Sequence, residues 1–293
     1  MTETPARLLA RTLLQRQARR RRDKAPPVRD EARRFRAVVA YDGTAYAGWQ
    51  RQRERVSVQE ILEAAIEAAT GLPASVASAG RTDAGVHADG QVIAFDSATG
   101  LPAQALRHLF DHLLPGDVRV RRVEETHAGF DPQRDAVRKL YRYALLRTAD
   151  DLPRWRHAAW HVPGDLDLAA MRAGAARLLG THDFRAFRND PGPERRDEGT
   201  VRTVEAISVE EAAEFLRIDV TGPGFLYMMV RNVTAALVAV GRRAHGDAWI
   251  GEVRAARDRS RLPPPAPAAG LTLVRVEYGD GLGGTSRGDG PLR

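Results

Sequence analysis

A chain of 293 residues with 43% hydrophobic and 28% charged residues has the composition of a folded globular protein, long enough for one large domain or two subdomains around a sizeable core. It contains no cysteine, which excludes disulfides, thiolate chemistry and cysteine-ligated zinc, and no run of about 18 apolar residues that would span a membrane. The formal charge of +7 is concentrated at one end: residues 1–34 hold ten Arg and one Lys against four acids, a net +7 that leaves residues 35–293 balanced.

Taken in chain order, residues 1–34 read as a basic, disordered N-terminal arm that includes Arg19, Arg20, Arg21 and Arg22. Such an arm suits polyanions through counterion release at phosphates, or serves only as a solubilising extension. The N-terminus has no apolar stretch of the secretory-signal kind, and the absence of cysteine is compatible with a reducing cytoplasm. The ordered region is expected to start at Phe35. FRAVVAY (35–41) has strand composition and YDGTAYAGWQ (41–50) is a glycine-broken, aromatic loop. Ser57-Val-Gln-Glu60 fits a capping box and opens a helix to Thr70, stopped by Gly71-Leu-Pro73. SVASA (75–79) and QVIAF (91–95) read as strands on either side of a loop at 80–89. Residues 101–114 form a helix ended by Pro115-Gly116, and DVRVRRV (117–123) and KLYRYALL (139–146) alternate like half-buried strands.

A comparable order follows. AAWHV (158–162) is strand-like, 165–180 is a helix with Asp at its start and Gly180 at its end, and 203–210 with 214–221 read as a hairpin. Residues 225–241 are the most apolar helix, 247–258 another, and LTLVRVEY (271–278) a final strand before a flexible tail at 280–293. The pattern is two mixed α/β halves, 35–147 and 148–279, with strands in hairpins as well as across helices, so that sheets are mostly antiparallel or mixed.

Most candidate chemistries fail on residue type. His108 and His112 have the i, i+4 spacing of a zinc helix, but Leu-Phe-Asp stands between them without the catalytic Glu or an evident third ligand. The glycine run at 279–284 follows a strand but opens no helix, and neither a Walker sequence nor a G-x-S-x-G elbow is present. What remains is Ala79-Gly-Arg-Thr-Asp-Ala-Gly-Val-His87, a charged turn at the mouth of a strand. A loop mounted on a strand is a good carrier for an active carboxylate, Asp83, yet an Arg-x-Asp turn is more commonly a structural ion pair. The residues alone leave both roles open.

That string, continued by Gly90-Gln91-Val92, resembles the signature of the TruA-type tRNA pseudouridine synthases. Further blocks fall in order: Tyr41-Asp-Gly-Thr with Gly48-Trp-Gln-Arg-Gln52, Ser57-Val-Gln-Glu60, Leu114-Pro-Gly-Asp117, Tyr141-Arg-Tyr143, His182-Asp-Phe184, Arg202-Thr203, Phe225 to Asn232, and Ala266 to Leu271. The likeness covers residues 35–278. Gln133 stands where the family often carries arginine, with Arg134 beside it, and Met228 where it often carries histidine or asparagine.

The resemblance implies an α+β pseudouridine synthase fold: two related α/β subdomains sharing a central, mostly antiparallel sheet with a cleft between them. It implies isomerisation of uridine to pseudouridine in the tRNA anticodon stem-loop, at positions 38–40, with no cofactor and no metal, by a cytoplasmic homodimer that binds tRNA and no membrane. Asp83 would be the nucleophile, Tyr141 would pack against the uracil and handle a proton, and Arg81 and Arg231 would lie beside the aspartate and the RNA backbone. Two alternatives belong to other readings: an RNA-binding or tRNA-folding protein without turnover, and a related synthase with a shifted target site. His87 reads as a loop-fixing hydrogen bonder and Asp89 as a solvated loop residue.

Overall fold

The computed structural model describes residues 27–192 and 198–279, together with Thr12 and Gln15. The tail expected at 280–293 lies outside the described residues. By Cα packing the chain forms two compact units, Met1–Val137 with Leu273–Arg293, and Arg138–Thr272.

The first unit contains strands β1 (Val28–Tyr41), β2 (Ala77–Ser78), β3 (His87–Thr99) and β4 (Val118–Thr126), and helices α1 (Val58–Thr70) and α2 (Ala103–Leu113). β5 (Ala136–Leu146) begins just before the second unit, and β11 (Leu271–Tyr278) returns the chain to the first. The sheet order here is β4-β1-β3-β11, with β2 appended to β3. β1–β3, β1–β4 and β2–β3 are antiparallel. α1 opens as the capping residues predict: Ser57 accepts from the Glu60 amide and Gly71 closes the helix in the left-handed region at φ 74°. α1 packs on α2, and α2 on β4. Phe35 and Phe95, paired in register, stack at 5.4 Å within the core.

The strand predicted to start at Phe35 starts at Val28, so residues 28–34 belong to the sheet and not to an arm. Charge pairing holds the extension. Arg33 ion-pairs with Glu125 and donates to the Thr99 and Leu101 carbonyls, each 2.7 Å away. Arg34 reaches Asp96 at 2.7 Å and the Phe130 carbonyl at 2.6 Å. A run of arginines reads as solvated tail because these partners are distant in sequence.

The second unit contains β5, β6 (Trp160–His161), α3 (Leu168–Ala176), β7 (Gly180–Asp183), β8 (Val201–Val204), β9 (Ala206–Ala212), β10 (Phe215–Gly222), α4 (Met229–Gly241) and α5 (Ala248–Ala256). Its sheet runs β5-β10-β9, antiparallel throughout, with β6 parallel to β5; β7 and β8 form a separate antiparallel pair. α3 packs on α4, α5 and β9. Glycines permit close approach here, since a Cβ at Gly241 would stand 2.6 Å from the Met171 sulfur.

Three expectations shift. The helix expected over 165–180 ends at Ala176, where tighter amide bonds at Arg177 and Leu178 lead to Gly180, at φ 96° and already in β7. The strand over 203–210 divides at Glu205, whose amide bonds to the Thr221 carbonyl instead of continuing a single ladder. The helix over 225–241 starts at Met229, because Met228 is left-handed at φ 59° and the apolar run before it forms a turn.

Candidate active site

In the first unit, the Asp83 loop is held from below by buried polar groups. Gln91, fully buried on β3, donates to the Gly80 carbonyl at 2.7 Å. The Thr82 hydroxyl lies 2.8 Å from the Tyr41 phenol, and both are buried. Burial pushes the Tyr41 phenol up to about 12, so it stays protonated as a neutral hydrogen-bonding group. Asp83 and Val86 close a turn, with the Val86 amide 3.1 Å from the Asp83 carbonyl and Gly85 in the left-handed region at φ 81°.

The β1–α1 segment packs against the other side of the loop. The Trp49 amide donates to the Thr82 carbonyl at 3.0 Å. Gly48 sits at φ 88°, and a Cβ there would come within 2.6 Å of that carbonyl; one at Gly43 would come within 1.9 Å of the Val86 carbonyl. His87 finishes the arrangement: its Nδ1 lies 3.2 Å from both the Gly43 amide and an Asp42 carboxylate oxygen. The Nδ1 atom accepts from the amide in one tautomer and donates to the carboxylate in the other, and the His87 contact is the chief reason the Asp42 carboxyl is held well below the usual range. The loop-fixing reading of His87 therefore agrees with its contacts. Asp83 is partly exposed on this mount. Arg81 is exposed and makes no hydrogen bond or ion pair among the described residues, so the structural ion pair, one of the two roles the sequence left open for the Arg-x-Asp turn, is not formed there by Arg81.

In the second unit, Tyr141 stands on β5 opposite Val220, 9% exposed, with its ring edge-on to Phe225 at 5.4 Å. Tyr143, on the same strand face, is committed to structure: its hydroxyl donates to the Pro267 carbonyl at 2.6 Å, and Gly270 leaves room for its ring. Arg231, in the first turn of α4, is fastened by its Nε to the Ala266 carbonyl at 2.7 Å, while the Ala266 amide returns a bond to the Arg231 carbonyl at 3.3 Å. Neighbouring Asn232 is fully buried and joins Phe187, Asn189 and Arg259, so the start of α4 is tied to two loops at once.

Sequence reasoning missed Lys139. It is 7% exposed on β5, opposite Gly222, and burial first, then the Arg202 charge, lowers its pKa to about 8. The signal was available in the strand's two-residue period, which puts Lys139 on the face of Tyr141 and Tyr143. Of the two residues at the departure from the family block, Arg134 is spent on its own turn, bonding to the Gly129 carbonyl at 3.0 Å and to Asp135 at 3.2 Å, and Gln133 is exposed. Arg19, Arg20, Arg21 and Arg22 lie outside the described residues.

Comparison with known proteins agrees with these blocks. The family described as tRNA pseudouridine synthase matches residues 37–133 and 175–279. A tRNA pseudouridine synthase A of Myxococcus xanthus is 42% identical over 249 residues, covering 85% of this chain and 93% of the relative. One from Geobacter sulfurreducens is 39% identical over 84% of this chain and 100% of its own length. One from Brevibacillus brevis is 41% identical over the same shares. The chain belongs to the tRNA pseudouridine synthase family.

Proposed function

We propose that this protein isomerises uridine to pseudouridine in tRNA, acting in the anticodon stem-loop at positions 38–40, with Asp83 as nucleophile. The observation that carries the reading is the aspartate loop: a partly exposed carboxylate on a turn braced by Gln91, Tyr41 and Trp49, inside the G-R-T-D-A-G block. A carboxylate suits glycosidic chemistry because it can attack or steady an electron-poor sugar carbon, dividing bond cleavage from reattachment. The C1′–N1 bond breaks, the uracil turns, and C1′ rejoins through C5. The C5 proton departs and N1 gains one, so the composition is unchanged.

The other roles follow from chemistry. Tyr141 offers an aromatic wall and a phenol for packing on the uracil and handling the proton. Arg81 and Arg231 offer planar guanidinium forks suited to the RNA backbone and to a carboxylate. The target base must leave its stack, at a cost of a few kcal/mol recovered by such contacts. We further read the protein as a cytoplasmic homodimer. Among the described residues no helix is long and apolar enough to cross a membrane.

The test is tritium release from tRNA labelled at uridine C5, which reports loss of the C5 hydrogen directly. Native protein is expected to release tritium, and Asp83→Ala to release none while still binding tRNA. Binding without release by the native protein would leave an RNA-binding protein in place of an enzyme. Mapping the modified uridines then tests the site, and sedimentation tests the dimer.

A further inference from the structure

Residues 51–55, Arg-Gln-Arg-Glu-Arg, form an exposed excursion within the connection between β1 and α1. Its base is closed by main-chain bonds: the Ala47 amide to the Val56 carbonyl at 3.0 Å, Val58 to Gly48 at 3.2 Å, and Gln59 to Trp49 at 3.0 Å. Gln52 bonds back to the Ala47 carbonyl at 2.9 Å, and the Arg51 amide to the Gln59 side chain at 3.0 Å. Arg51 ion-pairs with the buried Glu63, so its charge is used within the unit. Arg53 and Arg55 differ. Both are exposed, and neither makes a hydrogen bond or ion pair among the described residues.

Many arginines of the unit are committed: Arg33, Arg34, Arg36, Arg107, Arg122 and Arg134 pair with carboxylates, and Arg119 and Arg121 donate to the Asp111 and Asp89 carbonyls. Arg29, near the start of β1, is exposed without such a partner among the described residues. The two uncommitted guanidiniums stand on a fixed mount that is joined to the aspartate loop through the Trp49–Thr82 bond and the close approach at Gly48. Arg81, which likewise has no partner among the described residues, is on that loop itself. Loop arginines whose main chain is held and whose charge is not neutralised among the described residues are suited to an anionic chain, because each presents a planar fork of donors matched to phosphate oxygens.

We propose that the 51–55 excursion is a phosphate-docking surface for RNA, with Arg53 and Arg55 taking backbone phosphates flanking the nucleotide presented to Asp83. It rests on the synthase reading for the identity of the RNA. Neutralising two phosphates releases a fixed number of counterions, so the contact is visible as a salt slope.

The experiment measures tRNA binding by the full chain across a salt series, together with tritium-release kinetics, for native protein, Arg53→Gln/Arg55→Gln and Arg53→Lys/Arg55→Lys. The glutamine pair is expected to flatten the log Kd against log salt slope by about 1.4 to 1.8 and to weaken binding about tenfold at moderate salt. KM should rise with kcat within about twofold, and the lysine pair should recover most of the slope. Arg242→Gln, which removes an exposed arginine beyond the far end of α4, serves as the control. An unchanged slope in the glutamine pair, or the same flattening in Arg242→Gln, overturns the proposal. The two readings fail differently. Native protein that binds with the full slope but releases no tritium removes the synthase and keeps the docking surface; normal turnover with an indifferent glutamine pair does the reverse.

Discussion

Several polar side chains in each of the two units are buried, and each constrains its surroundings in its own way. Tyr41, Thr82 and Gln91 form a neutral network under the aspartate loop, which positions without adding charge. Lys139 is the opposite case, a cation with little access to water. Its folded pKa, about 8, lies below its ordinary 10.5, chiefly because burial penalises the charged form. Between these two values the unfolded chain holds the proton and the folded chain does not, so this site's contribution to stability rises with pH there; below pH 8 the full cost of burying the charge applies. The stability difference between native protein and Lys139→Met is therefore expected to move in favour of the native chain by about 1.4 kcal/mol per pH unit within that window. Urea unfolding of both proteins at several pH values checks this. Parallel stability curves would show that Lys139 titrates as an ordinary surface lysine.

Among the elements, the connection between β1 and α1 has the greatest influence on the site, because its backbone is a wall of the aspartate loop. At Gly48 the constraint is double: a left-handed φ of 88°, and carbonyl and amide atoms of Thr82 and Ala84 at 2.6 and 3.0 Å from any added Cβ. These are backbone atoms, so the loop itself must shift to admit a methyl group. Gly48→Ala is expected to lower the tritium-release rate by about a hundredfold, as displacements near 1 Å at a reacting group do, and to destabilise by about 1–3 kcal/mol. Gly116→Ala is the comparison, since a Cβ there meets nothing within 4 Å and both properties should stay near native. Rate and urea midpoint together decide it, and a native rate in Gly48→Ala would mean that the loop tolerates displacement. Local signals carried much of this architecture. The Ser57 cap and Gly71 were legible because propensity and capping agree over a short span, whereas residues 139–146, expected to alternate as a half-buried strand, are buried on both faces of β5 except at Arg142. What escaped depends on distant partners: the Arg33 and Arg34 pairings that extend β1, the division at Glu205, and the turn ending at Met228. Asp83, Tyr141 and Arg231 were singled out through family blocks, and the roles read for them are proposals, whereas the glycine approaches that hold the aspartate loop depend on residues distant in sequence.

Across the whole molecule, the distribution of charge separates arginines that build the protein from arginines available to a ligand. Pairs such as Arg142–Asp219, Arg147–Glu211 and Arg257–Asp183 belong to the first kind, and residues 35–293 balance in formal charge. The excess lies before β1. Because Val28 to Arg34 are strand residues with internal partners, the segment that could act as a basic arm is 1–26, in which seven Arg and one Lys outweigh two acids. Removing residues 1–34 would cut into β1 and confuse folding with binding. Removal of 1–26 isolates the charge. If the segment contacts tRNA, that deletion should weaken binding and flatten the salt dependence further than Arg53→Gln/Arg55→Gln does alone, because more phosphates lose a cation. Separate contacts should add: the slope of the combined variant should fall by the sum of the two individual changes, as independent sites do. A native slope after deletion would confine 1–26 to solubility, while less than additive flattening would mean that the segment and the 51–55 excursion share the same phosphates. Salt-series binding by the four proteins, each confirmed folded by urea unfolding, separates these outcomes.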